Sequence, residues 1–206
     1  YLSFLCINFE APVVQEAASW FLDAVFLNYN SSYLERMLEQ MLDEGDSREV
    51  TRFLRAVDVR IDGFRVERAP EWRGQRVFVR HEVGGKAYEL RLSEESAGTQ
   101  KLMGLAAYLM TALERGGTVV VDELDAKLHP KLLRYVILLF KDPEVNKSGA
   151  QLIFSSQDVS TMRNDVFRRD EIWFAARGER EASQLWSLAD IHEANGNLVS
   201  KNAAFD

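Results

Sequence analysis

The chain has 206 residues, 47% of them hydrophobic, and a formal net charge of −7. That length suits one domain, or one domain with a small appendage, and the acidic balance argues against a chain-wide nucleic-acid footprint. No apolar run reaches the roughly 18 residues of a membrane span, no basic-then-apolar leader is present, and one cysteine (Cys6) with three scattered histidines (His81, His129, His192) excludes a disulfide framework or a Cys/His zinc site.

The first third predicts helices. Residues 12–28 carry Val13, Ala17, Trp20, Phe21, Ala24 and Val25 at mixed helical spacing. Ser32-x-x-Glu35 is a capping-box pattern ahead of Leu34, Met37, Leu38, Met41 and Leu42, and Gly45 closes that stripe. Asp46-x-x-Glu49 repeats the cap before Val50, Phe53, Leu54 and Val57. The period then changes. Val59, Ile61, Phe64 and Val66 predict a strand, and 70–75 a polar turn. Val77–Val79 and Tyr88–Leu92 predict a hairpin in which Gly84 and Gly85 take the positive-φ positions.

From Ser96 onward the texture is α/β. A helix is expected from about Gln100 to Arg115, stopped by Gly116-Gly117, and the strand Val119–Val121 follows. Pro130 opens a helix through Phe140 at the first-turn position proline tolerates. Leu152–Phe154 and Ile172–Ala175 are short apolar strands. Alternation of this kind predicts a parallel sheet covered by helices on both faces.

Chemistry concentrates in three places. The strand Thr118–Val121 ends in Asp122-Glu123, and ligands of parallel sheets bind beyond the carboxyl ends of the strands. One acid there can hold Mg²⁺ and the next can orient a water; two solvated surface acids are the ordinary alternative. One helix length upstream, Ser96-Ala97-Gly98-Thr99 offers backbone N–H groups at a helix N-terminus, an anion site, or simply an N-cap by Ser96 or Thr99. Downstream, Ser155-Ser156-Gln157-Asp158 follows a strand that would end at the same sheet edge.

In this order and spacing the pieces resemble the second half of an ABC-type ATPase head. They are most similar to bacterial ATPases related to the SMC and DNA-repair ATPases, often labelled AAA and often found in anti-phage defence. Glu95–Leu102 looks like the signature loop, Val121-Asp122-Glu123-Leu124-Asp125 through His129-Pro130 like the Walker B strand and D-loop, Gln151–Asp158 like the switch strand, and Arg168–Phe174 like the strand after it. The likeness is strong from about Leu92 to Leu188. It implies the C-terminal half of a P-loop NTPase with ATP and Mg²⁺ as cofactors. Asp122 would be the metal ligand, Glu123 the general base and Gln157 the switch residue. Ser96, Gly98 and Thr99 would meet the γ-phosphate of ATP held by a second subunit, with Asp125 to His129 at the dimer interface. The implied division is a helical segment over 1–58, a small β region over 59–92, the ATPase half over 93–190 and a tail over 191–206. The implied partners are ATP, a second copy through the heads, and an effector protein or nucleic acid, with no membrane, in the cytoplasm.

Two departures stand out. Gln157 occupies a position usually held by His; Gln can hydrogen-bond a phosphate or water but carries no charge. The pattern G-x-x-x-x-G-K-[ST] is absent: around Gly85-Lys86, Arg80 stands where the first Gly belongs and Ala87 replaces the hydroxyl. The phosphate loop is therefore expected upstream of Tyr1, the chain being a C-terminal piece that is inactive alone. The alternative is a non-catalytic interaction module on an ATPase-derived sheet. A nuclease using Asp122, Glu123 and Asp125 has no further acidic or histidine support.

Overall fold

A run of three valines after a helix stop is suited to the middle of a sheet, where β-branched side chains pack on both neighbours. The computed structural model describes residues 12–27, 38, 42, 47–56, 61–68, 75–178 and 181–192. In it Thr118–Val121 (β5) is the central strand of a parallel sheet, between Val25–Leu27 (β1) and Gln151–Phe154 (β6). The register pairs Val121 with both Leu27 and Phe154. The carboxyl ends of all three strands therefore finish level, and the residues after them share one edge.

Helix Ala97–Arg115 (α3) packs against β5. Residues 101–107, Leu109 and Ala112 are all buried, so this helix is enclosed nearly all round rather than laid on a surface. Ser96 caps its start by accepting the Thr99 N–H at 3.1 Å. Gly116 ends it in the left-handed conformation (φ 80°), its N–H bonded to Ala112 O, the usual C-terminal use of glycine. Helix Ser47–Ala56 (α2) lies against α3 and buries Val50, Phe53 and Leu54, as its periodicity predicted. Helix Pro130–Lys141 (α4) packs on β6, with Pro130 in its first turn and His129 as N-cap through Nδ1. Phe53 and Tyr135 join α2 to α4 edge to face, ring centres 6.1 Å apart.

The second sheet is antiparallel: Gly63–Arg68 (β2), Gln75–Val83 (β3) and Lys86–Arg91 (β4). Gly84 and Gly85, with φ of 59° and 75°, turn the β3–β4 hairpin as expected. The Arg65 guanidinium lies 4.1 Å from the centre of the Phe78 ring and bonds Glu89 Oε2.

The structure corrects the sequence reading at three points. The first helix, Pro12–Asp23 (α1), stops before Ala24 and buries none of its residues, and Val25–Leu27 is a strand. Three β-branched, aromatic and aliphatic residues gain more from pairing with β5 than from a further helical turn. Secondly, although helices flank the parallel sheet as expected, one row of it stays open. In the row Phe26–Val120–Ile153, Phe26 is 59% and Ile153 49% exposed. Thirdly, Trp173–Arg177 (β7) does not join the parallel sheet; it pairs antiparallel with Ser183–Ser187 (β8). The chain forms two compact units, 1–157 and 158–206, and that ribbon belongs to the second. There Phe174 and Trp186 stack at 6.2 Å, and Arg169 Nη2 donates to Leu188 O at 2.6 Å. The capping box at Ser32, the stop at Gly45, Asp46, Val57, Val59, the 70–75 turn and Cys6 lie outside the described residues; Leu38 and Leu42 of the same stripe are helical and buried.

The two adjacent glycines are not equivalent. A Cβ on Gly116 would collide with Ser148 O, on a residue already at positive φ, whereas on Gly117 the nearest atom is Ala112 Cα at 3.8 Å. Gly116→Ala is expected to lower the unfolding free energy by about 1–3 kcal/mol, and Gly117→Ala by less than about 1 kcal/mol, in urea titrations of the two variants.

Candidate active site

Where β5 and β6 end level, the chain of β5 turns sharply over residues 122–127. Glu123 enters the left-handed region at φ 51° and Lys127 at φ 61°, a conformation that costs a non-glycine residue about 1–3 kcal/mol unless its surroundings enforce it. Two side chains enforce it. From β6, the Ser155 hydroxyl donates to Asp122 Oδ1 at 2.5 Å and accepts the Glu123 N–H at 2.8 Å. From α3, the Lys101 ammonium donates to three carbonyls of the turn: Glu123 O at 2.7 Å, Leu124 O at 3.1 Å and Ala126 O at 2.9 Å. All three ammonium protons therefore have an acceptor in one loop.

The backbone completes the turn. Leu124 N–H bonds Ser155 O, Ala126 N–H bonds Glu123 O and Leu128 N–H bonds Asp125 O. The Leu124 side chain is fully buried and anchors the turn to the core. Asp122 and Glu123 remain exposed at the sheet edge; Ser155 holds the Asp122 carboxylate and the Glu123 backbone N–H, leaving the Glu123 carboxylate facing outward. Asp125 is half-buried; its Oδ2 accepts the Gln157 N–H at 3.3 Å, while its Oδ1 is enclosed with no hydrogen-bond partner.

The small-residue loop meets this turn from the other side. A Cβ on Gly98 would lie 2.6 Å from Lys127 O, so only glycine lets the first turn of α3 come this close to the backbone of 127. Ser96 and Thr99 bond each other, Oγ to Oγ1 at 2.7 Å. The loop leading in is held by Gln100 Nε2 on Glu95 O (2.7 Å) and by His81 Nε2 against Glu95 Oε1 (2.5 Å).

The structure thus gathers Asp122, Glu123, Asp125, the Gln157 backbone and Gly98 around one turn. It leaves Ser96 and Thr99 as an N-cap at the far end of the same helical turn, without a described hydrogen bond to the acids. The ordinary capping account of that loop is therefore correct as far as its own bonds go. Two residues were given no role of their own from the sequence: Ser155, read only as part of the polar run after its strand, and Lys101. Ser155 was signalled by its register, one residue past Phe154 and opposite Asp122. Lys101 was signalled by its position: a lysine beside Leu102 and Leu105 on an apolar helix must find acceptors inside. The arginines Arg163, Arg168 and Arg169, close together in sequence, are paired with Asp165, with Asp170 and Glu171, and with backbone carbonyls respectively. A separate concavity between α2 and β2 is lined by Arg48, Arg52 and Arg55, the last tied to Asp62 and Ile61 O. No described helix is long and apolar enough to cross a membrane, and among the described residues no group of three or more His, Cys, Asp or Glu converges as a metal site.

Residues 5–163 match the family described as "AAA domain, putative AbiEii toxin, Type IV TA system". No curated protein matches the chain. Among solved structures the chain is similar to one from work on "ATP-driven dimerization and DNA stimulated activation of SMC ATPases", with a TM-score of 0.50 and 17% identity over 82% of this chain and 92% of that one. At that identity the likeness shows the fold: a mixed α/β sheet flanked by helices, as in the head of an SMC ATPase.

Burial lowers the pKa of Lys101 from its ordinary 10.5, against the opposing pull of Asp125 and Glu123. The folded chain then releases this proton before the unfolded chain does. Between the lowered value and 10.5 the unfolded state binds more protons, so this group makes stability rise with pH there. The expected outcome is a more positive slope of unfolding free energy against pH for the wild type than for Lys101→Met on the alkaline side, measured by urea titration. Equal slopes would assign no such shift to Lys101.

Proposed function

The chain belongs to this AbiEii-type AAA-domain family, and we propose that it supplies the acid-pair and signature portion of a site that binds and hydrolyses ATP between two copies. The observation that carries this reading is the single Ser155 hydroxyl that fixes both the Asp122 carboxylate and the Glu123 backbone at the carboxyl end of a central parallel strand.

The donor set suits Mg²⁺, which takes hard oxygen ligands and is commonly held by one or two carboxylates plus substrate phosphates. Asp122, its Oδ1 already oriented by Ser155, is the residue that would hold it. Bound there, the ion would neutralise charge on the phosphates. Glu123, exposed and fixed through its own N–H, accepts the proton of the attacking water on its carboxylate. Gln157 orients that water or the γ-phosphate through an uncharged amide. Ser96, Gly98 and Thr99, at the positive end of α3, meet the phosphate of a nucleotide held by the second copy, and Asp125 lies at the interface. The pattern G-x-x-x-x-G-K-[ST] does not occur in the sequence, and in this reading a segment outside it supplies the phosphate loop. We assign residues 93–190 to the ATPase half, with 1–58, 59–92 and 191–206 as helical insertion, β region and tail. In this reading the ATPase signals to an effector or nucleic acid, in an anti-phage setting.

The second reading is a non-catalytic interaction module. Gln157 and the missing phosphate loop favour it; an acid pair held by dedicated hydrogen bonds weighs against it, since surface acids without a task need no such fixing.

In the intact ATPase, Glu123→Gln is expected to lower turnover at least about 100-fold while ATP-dependent dimers persist in size-exclusion chromatography. Turnover at the wild-type rate would remove Glu123 from the base role. The 206-residue chain alone should show no micromolar ATP binding by calorimetry; such binding would overturn the need for a separate phosphate loop.

A further inference from the structure

We infer that Lys101 is the positioning residue for Glu123, the peg on which the 122–128 turn is wound, and that through it the first turn of α3 and the acid pair move as one piece. Glu123 and Lys127 hold left-handed conformations that local chemistry disfavours. Only 5% of Lys101 is exposed, and each of its three protons ends on a carbonyl of that turn. Those carbonyls point inward because the turn runs left-handed at Glu123. Without an ammonium at their centre they would face one another across a buried space, with nothing to offset their desolvation.

The contact at Gly98 makes the arrangement two-sided. Lys127 O rests against the Gly98 Cα at one end of the turn, and Glu123 O is held by Lys101 at the other, Gly98 and Lys101 being three residues apart on one helical face. A shift of the N-terminal turn of α3 therefore has to carry the turn with it. The clamp itself stands on these contacts alone; that the group it positions is a general base rests on the function proposed above.

Two measurements separate these claims. In the 206-residue chain, hydrogen exchange of the Glu123, Leu124, Ala126 and Leu128 amides, each bonded within or beside the turn, is compared between wild type and Lys101→Met. Exchange is expected to rise on the order of tenfold or more at these amides, while amides in the middle of α3 and in β5 change little. An unchanged 123–128 segment would overturn the clamp. If Lys101→Met does not fold, Lys101→Arg carries the test: it keeps the charge without the compact three-way donor geometry, and intermediate exchange at the same amides is expected. In the intact ATPase, Lys101→Met should lower kcat by about 10–100-fold with KM for ATP within about threefold, and Lys101→Arg should restore part of kcat. A fall confined to KM would refute positioning of Glu123. A wild type without turnover would remove the ATPase reading and leave the clamp to be decided by exchange.

Discussion

A buried ammonium among three backbone carbonyls sets the geometry on which the rest of the site depends. Burying a charge is costly unless every donor finds a partner, and Lys101 meets that condition only if residues 123–126 curl around it. The curl in turn forces Glu123 into the left-handed region, presents its N–H to Ser155, and leaves its side chain at the solvent-facing edge. Helix α3, the turn and the end of β6 are thus three parts of one hydrogen-bonded unit, joined at Lys101, Ser155 and Gly98.

Much of this unit was legible in the sequence because it follows local rules. Gly116 and Pro130 mark helix ends by backbone stereochemistry that does not depend on the tertiary fold, and the paired glycines of the β3–β4 turn are equally local. The acid pair was legible because a valine run has few other uses than a buried strand. What escaped depends on partners distant in sequence. Val25–Leu27 continues a helical pattern until the edge of β5 offers it hydrogen bonds. The apolar run at 172–175 reads like a further parallel strand, yet β8 lies a few residues on and a ribbon closes at small loop cost. Short apolar runs carry no mark of parallel or antiparallel pairing. Ser155 and Lys101 belong to a third kind. Their residue types are common, and only register and burial give them a task.

Under the proposed function, the loop before α3 serves as both a cap and a phosphate contact. Ser96 already satisfies one N–H of the helix, at Thr99, and leaves its own backbone and the remaining first-turn N–H groups at the positive end of the helix dipole. Under the proposed function, an anion arriving there meets donors organised in advance, so little reordering accompanies binding. Gly98 cannot acquire a side chain in exchange for a tighter grip, because the space a Cβ would need is taken by the backbone of residue 127.

The left-handed Glu123 has an evolutionary corollary. At φ 51° glycine would be more comfortable, and asparagine or aspartate less strained, than a longer side chain. A chain shaped by thermodynamic stability alone would drift toward those residues. Keeping glutamate means carrying a folding penalty at that one position. Under the proposed function, that penalty is a trade of robustness for a working carboxylate.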